Sequence, residues 1–156
     1  KMSIGDRIIT YNEFNIIKAG RKSLKNETDK EIEDSIVRGE LLKVVAKDMG
    51  ITVSKKEMLS YMNYVKEEFY KDEQSKELLR DYFDAYGLNE KTFWDSKLAY
   101  EMYENYLTQN KLRKVISVDL QKNTKLSDDG ELSRMIEKEL DKLFKDKKEQ
   151  VEITIN

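Results

Sequence analysis

Ala46-Lys47-Asp48-Met49-Gly50-Ile51-Thr52-Val53-Ser54-Lys55-Lys56-Glu57-Met58 closes one helix and opens the next within a few residues. Gly50 follows an apolar-periodic run, at the place where a left-handed C-cap costs glycine least. Ser54 supplies an N-cap oxygen and Glu57, three residues on, reaches back to it, which makes a capping box. Val53 and Met58 flank the box at the spacing of a hydrophobic staple. A corner between two helices is thus encoded locally, and it predicts a helical fold with fixed helix directions.

The same grammar recurs along the chain. Thr10 and Glu13 form a second box, stapled by Ile9 and Phe14, and predict a helix from Tyr11 to about Leu24. Thr28 with Glu31 opens another, which carries Ile32, Ile36, Val37, Leu41, Val44 and Val45 on one face. The helix after Ser54 presents Met58, Tyr61, Met62, Val65 and Phe69. After a weak break near Asp72–Ser75, a short helix through Leu78, Leu79, Tyr82, Phe83 and Tyr86 stops at Gly87. Asn89 is an N-cap stapled by Leu88 and Phe93, and the spacing predicts one long helix from there towards Leu120. The segment 122–129 reads as a polar loop, and a last amphipathic helix carries Leu132, Met135, Ile136, Leu140, Leu143 and Phe144.

Val151-Glu152-Ile153-Thr154-Ile155 alternates apolar and polar residues with the period of a half-buried strand. A lone strand leaves its ladder groups unpaired. The remaining strand-compatible segment is Ser3–Ile9, so the two are expected to pair and close the domain end to end. The fold class is therefore all-α, a multi-helix bundle with a minor two-stranded pairing of the termini. It forms one domain over 1–156, with a core at 3–120 and a closing helix and strand at 127–156. Terminal strands also pair between chains, so a swapped homodimer is a second arrangement.

Composition narrows the function. The chain has 156 residues, with 29 Lys and Arg against 31 Asp and Glu. Without a basic excess, a nucleic-acid surface is not expected. No apolar run of about 20 residues offers a membrane span. The absence of His and Cys removes the commonest general base, the thiolate nucleophile and the usual zinc ligands. There is no Pro, so helices run without proline kinks. Neighbouring carboxylates such as Glu67 and Glu68 diverge on a helix and cannot flank one bond. Asp128-Asp129-Gly130-Glu131 lacks the alternating ligand spacing of a calcium loop and reads as a helix start. No catalytic residue, cofactor or metal site is expected.

Three blocks resemble a known family. Gly5-Asp6-Arg7-Ile8-Ile9-Thr10-Tyr11-Asn12-Glu13-Phe14 resembles the opening of the SurA-type chaperone domain. Leu41 to Met58, with Leu41-Leu42, Ala46, Gly50-Ile51, Val53-Ser54 and Glu57, is similar to that family's second block. Phe83, Gly87-Leu88 and Phe93-Trp94 resemble its third, and Leu112-Arg113-Lys114-Val115-Ile116 the end of its long helix. The blocks run in family order over roughly 3–118; Ser3-Ile4 precedes Gly5 where the family has Asn. Members such as SurA and the foldase PrsA act outside the cytoplasm and hold unfolded or exported polypeptides. Most also carry a parvulin-type prolyl isomerase domain, for which this chain offers neither the length after position 118 nor a His. The resemblance implies a holding module without isomerase activity, and an extracytoplasmic location reached with an export signal already removed, in keeping with a chain that starts at Lys1.

The residues themselves favour a binding surface. Nine Tyr, five Phe, one Trp and six Met fall mostly between 58 and 106. Met is flexible and polarisable, and Tyr adds contact area with a hydroxyl at small entropy cost. Met58, Tyr61, Met62, Phe69, Tyr82, Phe83, Tyr86, Trp94, Tyr100 and Tyr103 are the candidate peptide-binding residues. Most single members of that set would serve equally well as core. Trp94, Tyr100, Met102, Tyr103 and Tyr106, however, span too wide an arc for one buried face. The expected activity is ATP-independent binding of unfolded polypeptide. The alternative is a non-catalytic assembly module docked on one specific partner.

Overall fold

The computed structural model describes residues 1–123 and 129–155. The elements run β1 (Met2–Ile4), β2 (Arg7–Ile9), α1 (Tyr11–Lys25), α2 (Asp29–Asp48), α3 (Lys55–Phe69), α4 (Glu73–Tyr86), α5 (Glu90–Phe93), α6 (Lys97–Asn123), α7 (Asp129–Lys148) and β3 (Ile153–Ile155). The polar loop expected over 122–129 lies mostly outside the described residues, as does Asp128. The helix start read at that point falls at Asp129.

The caps form as the residue types dictate. In all three boxes the hydroxyl accepts the N3 backbone N–H while the N3 Glu accepts the cap's N–H. At the founding corner Glu57 N–H reaches Ser54 Oγ at 3.2 Å and Ser54 N–H reaches Glu57 Oε2 at 2.8 Å. Gly50 adopts φ +71°. There Ile51 N–H bonds Ala46 O at 2.8 Å and Gly50 N–H bonds Lys47 O at 3.0 Å, the paired 6→1 and 5→2 bonds of a Schellman ending. Gly87, at φ +62°, ends α4 the same way through Leu88 N–H to Phe83 O.

The termini pair as the alternation requires, with one strand more than expected. Gly5, at φ +54°, lets Ser3–Ile9 fold back on itself, so the N-terminus contributes a hairpin instead of a single strand. β3 then joins β1 antiparallel, Ile4 opposite Ile153 and Met2 opposite Ile155, in the order β2-β1-β3. Met2, Ile4 and Ile9 point inward onto Val37 and Leu41 of α2.

The long helix expected from Asn89 is interrupted. α5 stops at Phe93, and Ser96 starts α6 afresh: its Oγ accepts Ala99 N–H at 3.1 Å and donates to Phe93 O at 2.6 Å. A serine that satisfies backbone groups on both sides competes with helix continuation. Phe93 and Trp94 are thereby turned into the core.

Three apolar clusters share two long helices. The first joins α3, α4, α5 and the start of α6 around Met58, Met62, Leu79, Phe83, Phe93 and Trp94. The second joins α2, α6 and α7 around Leu42, Val45, Leu112, Ile116 and Leu140. The third backs the sheet. α6 belongs to the first two and is the spine of the molecule. Arg7, Glu13, Lys97 and Glu101 form an ionic square that fastens β2 and α1 to the start of that spine, with Arg7 to Glu101 at 2.9 Å.

Candidate functional site

α4 packs on α1 and α3, while α3 also packs on α6. α4 and the outer face of α6 therefore stand as opposite walls of a groove with α3 along it. Its volume is about 810 Å³, within the range of roughly 300–1,000 Å³ typical of ligand sites. α3 contributes Tyr61, Val65 and Phe69, and α4 contributes Leu78, Leu79 and Tyr82. α6 adds Met102, Tyr103 and Tyr106, with the amides of Asn105, Gln109 and Asn110 beside them. The heptad-like recurrence of 102, 105/106, 109 and 113 along α6 is what aligns these side chains on one face.

The rings are held against one another. Tyr61 stacks on Tyr106 at 5.4 Å between centroids, 13° from parallel, and meets Tyr103 edge-on at 6.0 Å. Tyr82 leans on Tyr86 at 4.6 Å, and its hydroxyl reaches the Met102 sulfur at 3.3 Å. Burial pushes the Tyr103 phenol up to about 12. Burial and the hydrogen bond with Tyr106 bring Tyr61 to about 12 as well, and burial raises Tyr82 further, aided by its tyrosine neighbours. Desolvation favours the neutral phenol in each case, so these groove hydroxyls stay uncharged at any physiological pH. Among the described residues Arg113 is the one charged residue on the groove wall, and it is ion-paired with Glu137 of α7.

Of the ten residues singled out from the sequence, the structure brings Tyr61, Phe69, Tyr82 and Tyr103 together on the groove. Met58, Met62, Phe83 and Trp94 are buried in the first cluster. Met62 and Phe83, each 3% exposed, cannot touch a ligand and instead support the floor from behind. Trp94 stacks on Tyr103 at 6.2 Å and lies under the Lys66 ammonium. Tyr86 faces away, into a smaller cavity of about 240 Å³ between α1, α2 and α6. Tyr100 lies beside Met58 and Val53 on the other side of α6.

Sequence reasoning did not single out Val65, Leu78 or the three amides. Leu78 is 60% exposed although its periodicity matches a core position. The amides stand among Met102 and Tyr106 on the groove face of α6 but carry no hydrophobic signal of their own. The over-wide aromatic arc of α6 was the available clue, and Met102, Tyr103 and Tyr106 from that arc do reach the groove.

Among the described residues no cluster of three or more Asp or Glu is placed to hold a metal ion, and no helix is long and apolar enough to cross a membrane. No protein-family model, curated protein or solved structure matches this chain.

Proposed function

We propose that this chain binds unfolded or exported polypeptide reversibly and without ATP. The observation that carries the reading is the groove of about 810 Å³ between α3, α4 and α6, walled mostly by aromatic, aliphatic and thioether side chains with three amides, and with a single, already paired, charge among the described residues. Burying client side chains there removes apolar area from water at roughly 25 cal/mol per Å². Met102 and the tyrosines suit varied shapes because thioethers repack and phenols tolerate both apolar and polar neighbours. No reactive group is needed for such work, so the activity is non-enzymatic. The surrounding surface mixes both charge signs, which keeps a complex in solution.

The resemblance of residues 3–118 to SurA-type domains supports the same reading and extends it to an extracytoplasmic setting. The competing reading, an assembly module for one fixed partner, predicts a different specificity. The test is suppression of light scattering from two unrelated chemically unfolded proteins, with no nucleotide present. Suppression of both at a few-fold molar excess supports the proposal. Failure on both refutes it, and protection confined to one client favours the assembly module.

A further inference from the structure

Within the groove, Asn105 and Gln109 sit one helical turn apart on α6, and Gln109 Nε2 donates to Asn105 Oδ1 at 3.2 Å. Among the described residues this is the one hydrogen bond either side chain makes. Each primary amide offers two N–H donors and a carbonyl with two lone pairs, so most of the pair's capacity is unused. Their NH2 groups lie on the side of α2, where a Cβ built on Gly39 would come 3.4 Å from Asn105 Nδ2 and 3.8 Å from Gln109 Nε2, so Asn105 borders the smaller cavity as well as the groove. Asn110 adds a third amide on the same wall.

Such a wall is the wrong lining for an acyl chain, which would bury the unused N–H and C=O groups of Asn105 and Gln109 with nothing to bond, at a cost of about 1–3 kcal/mol each. It is also the wrong lining for a charged ligand, since the groove's single charge is neutralised by Glu137. It matches a peptide main chain. Residues four apart on a helix rise about 6 Å, and backbone groups facing one side of an extended chain repeat every two residues, about 6.6–6.8 Å.

We propose that α6 reads the backbone of its occupant: Asn105 and Gln109 hold an extended, uncharged polypeptide segment through its main-chain N–H and C=O groups, while alternate side chains enter between Tyr61, Phe69, Tyr82 and Met102. This rests on the polypeptide-binding reading above and gives it a mechanism for indifference to sequence, because every peptide carries the same backbone.

The test uses three probes on the intact chain, read by calorimetry and by the fluorescence of Trp94, which stacks on the groove residue Tyr103. The first is an acetylated and amidated peptide of Leu, Tyr, Thr and Gln. The second is the same peptide with alternate backbone amides N-methylated, and the third is a twelve-carbon fatty acid below its micelle concentration. The expected result is that N-methylation weakens binding about tenfold, and that N105L/Q109M also binds the parent peptide about tenfold more weakly although its groove is more apolar. In that variant N-methylation should no longer matter, with circular dichroism confirming the fold. Equal binding of both peptides to the natural chain overturns backbone reading and leaves apolar binding of polypeptide standing. Binding of the fatty acid alone, or of none of the three, overturns both.

Discussion

Gly20 lies in the middle of α1, where glycine costs about 1 kcal/mol relative to alanine. On propensity alone, Gly20→Ala should stabilise the protein. The packing says otherwise. A Cβ on Gly20 would sit 2.3 Å from three atoms of the Tyr86 ring, whereas ordinary contact begins near 3.4 Å. The ring cannot swing away freely, because it is pressed against Tyr82 at 4.6 Å and Tyr82 in turn touches Met102. Either α1 lifts from α4 or the displacement passes into the groove wall. Overpacking of this kind costs about 1–3 kcal/mol, so after the propensity gain the net loss is about 0–2 kcal/mol. The clean measurement is a double-mutant cycle by urea denaturation with Tyr86→Ala. With the ring removed, Gly20→Ala should regain its helix-propensity benefit and change sign, giving a coupling of about 1–3 kcal/mol. Stabilisation of the natural background by the full propensity increment of about 1 kcal/mol, with no coupling to Tyr86, would refute the α1–α4 packing described here.

Acid should loosen the helix starts. The Lys111 ammonium, with the Ser54 N–H and hydroxyl, holds the Glu57 carboxyl at about 2, against an ordinary 4.5. Burial opposes the Glu13 charge, yet bonds from Thr10 together with Arg7 and Lys97 hold it at about 2 as well. Groups whose folded pKa is depressed contribute stability above their unfolded pKa and lose it as pH falls through the folded one. Denaturation midpoints should therefore fall between pH 4.5 and 2, and E57Q/E13Q should flatten that slope; an unchanged slope would contradict the box geometry. Gly87→Ala meets nothing within 4 Å at φ +62°, so its cost is backbone strain alone, about 1–2 kcal/mol, read as a drop in melting temperature of about 2–8 °C. Leu112→Ala, at the fully buried meeting of α2, α6 and α7, should cost about 2–5 kcal/mol in the same assay; a loss under 1 kcal/mol would show that the second cluster is not closed around it.

Helix starts and stops were legible because they are decided by neighbours in sequence. Ser54 with Glu57, Gly50 and Gly87 all act within five residues, and the structure shows each one capping as its chemistry requires. The pairing of the tail with the N-terminus was legible for another reason: an alternating strand needs a partner, and one segment was left to supply it. The break at Ser96 was harder to see, because it depends on one hydroxyl bonding forward to Ala99 and back to Phe93 inside an otherwise continuous apolar pattern. The groove was legible only as an excess of aromatic residues. Which of them face it is set by the crossing of α3, α4 and α6, a long-range outcome that gives Met62 and Tyr61, adjacent in sequence, opposite fates. Asn105 and Gln109 gave no signal at all, since amides in a helix sequence are ordinarily read as facing water, whereas both are half-buried here.

The central claim is that the work is done on the groove between α3, α4 and α6. Leu78, 60% exposed, and Tyr106, 50% exposed, line it while contributing little to the core, so L78D/Y106D should fold. Val118 on α6, 42% exposed and away from the groove, makes V118D the matched control for an added surface charge. The decisive measurement is suppression of client aggregation by these two proteins beside the natural chain, with folding verified by circular dichroism. The account predicts that the groove variant loses suppression while the control keeps it. A folded L78D/Y106D that protects clients as well as the natural chain would contradict it.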